Sequence, residues 1–75
     1  MQEQQSTSIS NTYYDLVSVL YHALETAQTS ATYIQDAQQS GNNDLVSFFR
    51  QVQQDANNQA SRASQLLNQL GAQTR

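Results

Sequence analysis

A chain of 75 residues is one domain at most, near the size at which a single core is marginally stable. It has no cysteine, which excludes disulfides and thiolate zinc ligands. A net charge of −3 with no lysine, and Arg50, Arg62 and Arg75 as the only cations, excludes the basic clusters that nucleic acid or an anionic membrane surface requires. Residues 1–9 are polar and unpatterned and are expected as a disordered tail, without the basic and apolar regions of a signal peptide.

The first helix is expected over about 11–40. Tyr13, Leu16, Leu20, Ala23, Ala27, Ser30, Ile34 and Ala37 alternate spacings of three and four, which places them on one helical face. Ser10, Asn11 and Thr12 are all suitable N-caps. Ser10 would set Ile9 and Tyr14 as a hydrophobic staple, whereas Thr12 would put Asp15 at the third helical position, where an acid meets free N–H groups. Asp15, Ser18, His22, Glu25, Thr29, Thr32, Asp36 and Gln39 form an outer polar stripe. Leu16 to Leu24 is the longest apolar-rich stretch. It is interrupted by Ser18 and His22 and is far short of the roughly 20 residues that span a bilayer.

Gly41 predicts the helix stop, because it takes a left-handed C′ conformation without a Cβ penalty. A turn over 41–43 follows, with Asn42 or Asn43 as the next cap and Asp44 in the first turn. The second helix is expected over about 44–70, with Gly71 as a second stop and 72–75 as a tail. Its seam reads Leu45, Phe49, Val52, Ala56, Gln59, Ala63, Leu66 and Leu70. Gln59 is the polar interruption: either a buried amide that sets register or a point where the bundle opens to water. Asp55 and Arg62 flank this seam, where charges set register between helices.

So short a break makes the helices antiparallel neighbours. The expected fold is therefore all-α, an antiparallel two-helix hairpin. Folding at Gly41 pairs Ile34 with Phe49, Ala31 with Val52, Ala27 with Ala56, Leu20 with Ala63, and Leu16 or Val17 with Leu66. It also brings Tyr21 near Arg62 and Tyr33 near Arg50, within reach of cation–π contact.

A hairpin has one interface, yet both helices carry apolar residues beside their seams: Val17, Val19, Tyr21 and Leu24 on the first, and Val46, Phe48, Ala60 and Leu67 on the second. So wide an apolar surface faces more than one neighbour. A two-fold dimer closing into a four-helix bundle is the simplest solution. A different subunit supplying the other two helices is the alternative. The expected interface residues are Leu16, Val17, Leu20, Tyr21, Leu24, Ile34, Phe48, Phe49, Val52, Leu66 and Leu67, and Leu24→Asp or Phe48→Asp is expected to weaken assembly.

Chemistry-bearing patterns are sparse. His22 and Glu25 lie one turn apart and are the weak candidates for a metal, but the order His-x-x-Glu is not the inward Glu-x-x-His of di-iron bundles. No nucleophile–base pair or glycine-rich phosphate loop is present. The expectation is no catalytic residue, no cofactor, and a protein that is not an enzyme but a homo-oligomeric helical bundle acting through protein–protein contacts. The alternative is a ferritin-like metal-binding or redox bundle with a degenerate site at His22 and Glu25.

The segments Tyr14 to Leu24 (YDLVSVLYHAL), Tyr33 to Ala37 (YIQDA) and Leu45 to Gln53 (LVSFFRQVQ) together resemble a group of small, uncharacterised bacterial proteins of cyanobacteria and proteobacteria. The resemblance covers about residues 13–70. It implies a helical hairpin, distantly ferritin-like in shape, and carries over no activity. The lack of a signal peptide and of a bilayer-spanning stretch sets the expectation of a bacterial cytoplasm. Those relatives are richer in Glu, Lys and Arg on their outer faces, where this chain has 14 Gln and 6 Asn, and charged residues are only 12%.

Overall fold

A computed structural model describes residues 10–73. The expected tail over 1–9, the Ile9 half of the staple, and residues 74–75 lie outside them. Two helices, α1 (Asn11–Gln39) and α2 (Asn43–Gln73), pack against each other as an antiparallel hairpin.

Local chemistry sets the ends. Ser10 is extended (φ −65, ψ 153), and its Oγ accepts the Tyr13 N–H at 3.2 Å, so the first of the three candidate caps is used. Asp15 consequently sits beyond the first turn. At the other end of α1, Gly41 has φ 72. The Gly41 N–H donates to the Gln38 carbonyl at 3.1 Å and the Asn42 N–H to the Ala37 carbonyl at 3.0 Å, the two bonds of a Schellman motif. Asn42 then caps α2, its Oδ1 accepting the Leu45 N–H at 3.1 Å, while Asp44 lies in the first turn against the positive end of the helix dipole.

Gly71 is not a stop. Among the described residues, positive φ occurs only at Gly41, and α2 runs on through Gln73, so the tail expected from residue 72 begins helical. With α2 continuing to Gln73, Gly71 stays in the helical region at the usual entropic cost of glycine.

The α1 seam is as the periodicity predicts: Ala23, Ser30 and Ala37 are buried and Leu16, Leu20, Ala27 and Ile34 half-buried, with Tyr13 more open at the free end. The α2 seam differs by one residue at alternate positions. Ala60 is buried where Gln59 is exposed, and Val46 half-buried where Leu45 is exposed. Gln53 and Leu67 are half-buried as Val52 and Leu66 are, beside Phe49, Ala56, Ala63 and Leu70. Gln53 is turned to α1, and Val52 and Leu66 line hollows on one face. Both readings alternate spacings of three and four and share every seventh residue, so periodicity alone does not separate them. Packing does. Ala60 fits a layer with Ala56 and Ala63, where the Gln59 amide would be desolvated without a partner.

Gln53 takes over the role considered for Gln59. Its Nε2 donates to the Ala27 carbonyl across the seam at 3.0 Å. The Tyr33–Phe49 ring contact (centroids 5.6 Å) lies within a residue of the register read from the turn, and the Gln53 side chain reaches one helical turn further along α1 to Ala27. Ser30, 0% exposed, is satisfied within its own helix through Oγ donation to the Thr26 carbonyl at 2.7 Å, so it acts as another small spacer.

Two outcomes test this frame by thermal or urea denaturation. Gln53→Ala is expected to lose about 0.5–1.5 kcal/mol, the value of a typical net hydrogen bond, while Gln59→Ala stays within about 0.5 kcal/mol of the native chain. Alanine at the two glycines is expected to act with opposite signs. Gly41→Ala destabilises by roughly 1–2 kcal/mol through its left-handed φ, whereas Gly71→Ala, whose Cβ meets nothing within 4 Å, stabilises by about 0.5–1 kcal/mol.

Candidate interaction surface

One layer of two helices has two broad faces, and helical spacing sorts the remaining side chains onto them. The hairpin measures 50 × 24 × 14 Å, so each face is broad, and no further element covers either among the described residues. The first face takes Val19 and Tyr33 of α1 with Leu45, Phe48, Val52 and Leu66 of α2. The second is dominated by α1: Tyr14, Val17, Tyr21 and Leu24 repeat at alternating three- and four-residue spacing.

The first face has relief. Toward the free ends of the helices it is hollowed into an apolar trough of about 550 Å³, with walls from Thr12, Asp15, Leu16 and Val19 on one side and Leu66, Gln69 and Leu70 on the other. Toward the turn it rises in an aromatic cluster, where Phe48 leans on Phe49 at 5.8 Å between centroids and Phe49 on Tyr33 at 5.6 Å. Phe48 nevertheless remains 59% exposed. A second, smaller hollow over Thr26, Val52, Asp55, Ala56 and Gln59 lies between them.

The predicted interface residues therefore divide three ways. Leu16, Leu20, Ile34, Phe49 and Leu67 are in the seam of the hairpin itself. Phe48, Val52 and Leu66 are on the first face. Val17, Tyr21 and Leu24 are on the second. Leu24→Asp and Phe48→Asp thus probe opposite faces rather than one interface. Sequence reasoning missed Gln53 as the cross-helix donor. The available signal was Ala60, which in phase with Ala56 and Ala63 favours the set containing Gln53.

The charged groups sit around this relief. Gln51 Nε2 donates to Asp55 Oδ1 at 2.8 Å, and Arg62 Nη1 donates to Gln65 Oε1 at 3.3 Å. Both bonds run along α2, and neither residue has an ionic partner among the described residues. The expected cation–π contacts do not form: the ring partners of Tyr21 and Tyr33 are His22 and Phe49. His22 Nδ1 and Glu25 Oε1 approach to 3.4 Å on the solvent side of α1. The pair supplies two ligand atoms, and among the described residues no group of three His, Cys, Asp or Glu side chains is placed to share an ion. A structural zinc site takes four ligands.

No family model matches this chain, and no curated protein or solved structure matches it. Among the described residues, no helix is long and apolar enough to cross a membrane.

Because His22 and Glu25 are well exposed, His22→Ala is expected to leave helix content unchanged and the folding free energy within about 0.5 kcal/mol. Metal analysis of the purified protein and the variant checks the other role: stoichiometric iron, zinc or manganese that disappears with the substitution would establish the pair as ligands.

Proposed function

We propose that this chain is a non-enzymatic, homo-oligomeric helical-bundle protein that works through protein–protein contacts, two hairpins closing into a four-helix bundle. What supports this is the contrast between what one chain buries and what it leaves out. Among the described residues its buried core is five alanines and a serine, while nine large apolar side chains, among them Tyr14, Leu24 and Phe48, stay more than a third exposed. Covering each Leu, Val or Phe contributes roughly 1.5–3 kcal/mol. Association costs about 4–15 kcal/mol, which several such side chains from each copy offset.

A closed bundle of this kind is ferritin-like in outline. The resemblance to small bacterial hairpin proteins supports a bacterial setting. A scaffold or accessory subunit suits such a molecule, because broad apolar faces are its most developed feature.

Light scattering behind size-exclusion chromatography, over a wide concentration range, tests the reading. A constant mass of twice the chain is expected. A monomer at all concentrations would overturn it and direct attention to a partner that supplies the other two helices.

A further inference from the structure

The first face is complementary to itself when turned end over end. Along α2 it presents Phe48, Val52, Asp55, Gln59, Arg62 and Leu66, a stripe with its polar centre at Gln59 and apolar residues on either side. Reversed about Gln59, the stripe sets Val52 against Leu66 and brings Asp55 to within one residue of Arg62. The same rotation carries the aromatic cluster near the turn onto the trough near the free ends.

We propose that two copies of this chain pair through this face about a two-fold axis at Gln59, perpendicular to the helices. Phe48 and Tyr33 of each copy then enter the trough of the other, and Asp55 and Arg62 form two reciprocal ion pairs. The inference rests on the homo-oligomeric reading above and adds the face, the axis and the residues.

Three observations carry it. Shape comes first: a projecting ring pair and a hollow of about 550 Å³ lie at opposite ends of one face, so a two-fold rotation fills both hollows. Charge comes second. Asp55 and Arg62 are each held along α2 only by a neighbouring amide, and antiparallel pairing gives each an opposite charge. On α1 the rotation puts Asp15, which lines the trough, opposite Tyr33, whose phenol can donate to it. Asp36 falls opposite Thr12 and His22 opposite Thr26, so no two carboxylates meet. The second face lacks such a pattern, since its apolar stripe of Tyr14, Val17, Tyr21 and Leu24 has no oppositely charged pair beside it. Area comes third: a face 50 Å by 24 Å accommodates the roughly 800 Å² per partner of a standard interface.

Charge exchange tests the arrangement on the full chain, with mass and dimer dissociation constant as readouts and circular dichroism as the folding control. Asp55→Arg alone and Arg62→Asp alone each place like charges together twice per dimer and are expected to raise the dissociation constant by about tenfold or more. The double exchange restores the pairs and is expected to return the constant to within about threefold of the native value. Because the chain has no cysteine, Gln59→Cys adds an independent readout: mild oxidation is expected to give a covalent dimer. Ser61→Cys, on the opposite side of α2, is expected not to.

A native dimer that is unmoved by the single exchanges, or not restored by the double one, or cross-linked no faster at position 59 than at 61, overturns this face while leaving the homo-oligomer in place. A native chain that is monomeric at every concentration overturns both.

Discussion

Close approach of two helix backbones through a layer of small side chains is the constraint on which the rest of this molecule depends. Ala23, Ser30 and Ala37 on α1 and Ala56, Ala60 and Ala63 on α2 are the buried residues among those described, so small side chains line much of the seam. Small side chains let the axes come near enough for the Gln53 amide to reach the Ala27 carbonyl across the seam. The same choice limits what the seam can bury. An alanine offers far less apolar area than a leucine, so the layer specifies register better than it supplies stability. The larger side chains are consequently pushed to the flanks, where a single hairpin has nothing to set against them.

How this reads from sequence depends on which signal is used. The two helices, their antiparallel order and the turn were legible because each rests on a local rule. Ser10 and Asn42 cap through their side-chain oxygens, and Gly41 takes the one positive φ among the described residues. Gly71 looked identical in sequence but has no such conformation, since a glycine permits a left-handed turn without requiring one. The α2 seam was half legible. Phe49, Ala56, Ala63 and Leu70 belong to either heptad phase. Gln53 is drawn inward by the partner helix, whose Ala27 carbonyl accepts its amide, while Gln59 stays exposed. Only the three-dimensional pairing contains that information.

The functional surface was legible as a quantity and not as a shape. Counting apolar residues beside the seams showed that too many remained for one interface. It did not show that Leu24 and Phe48 look in opposite directions, because direction depends on which side of each seam meets which side of the other. Nor did it reveal the trough, which exists only where Leu16 and Val19 of one helix stand beside Leu66 and Leu70 of the other. Both follow from the fold of the pair rather than from either helix.

The stripe of Tyr14, Val17, Tyr21 and Leu24 has a consequence of its own. A two-fold pairing through the opposite face leaves this stripe outward on each copy and so displays it twice, on opposite sides of the assembly, with Tyr14 66% exposed in a single chain. Such an object is bivalent. A weak contact made at one stripe is repeated at the other, and for two linked ligand sites the second contact forms at an effective concentration set by the linker rather than by the solution. The hairpin would then serve as a short, rigid spacer, its thickness setting the distance between the two things it holds.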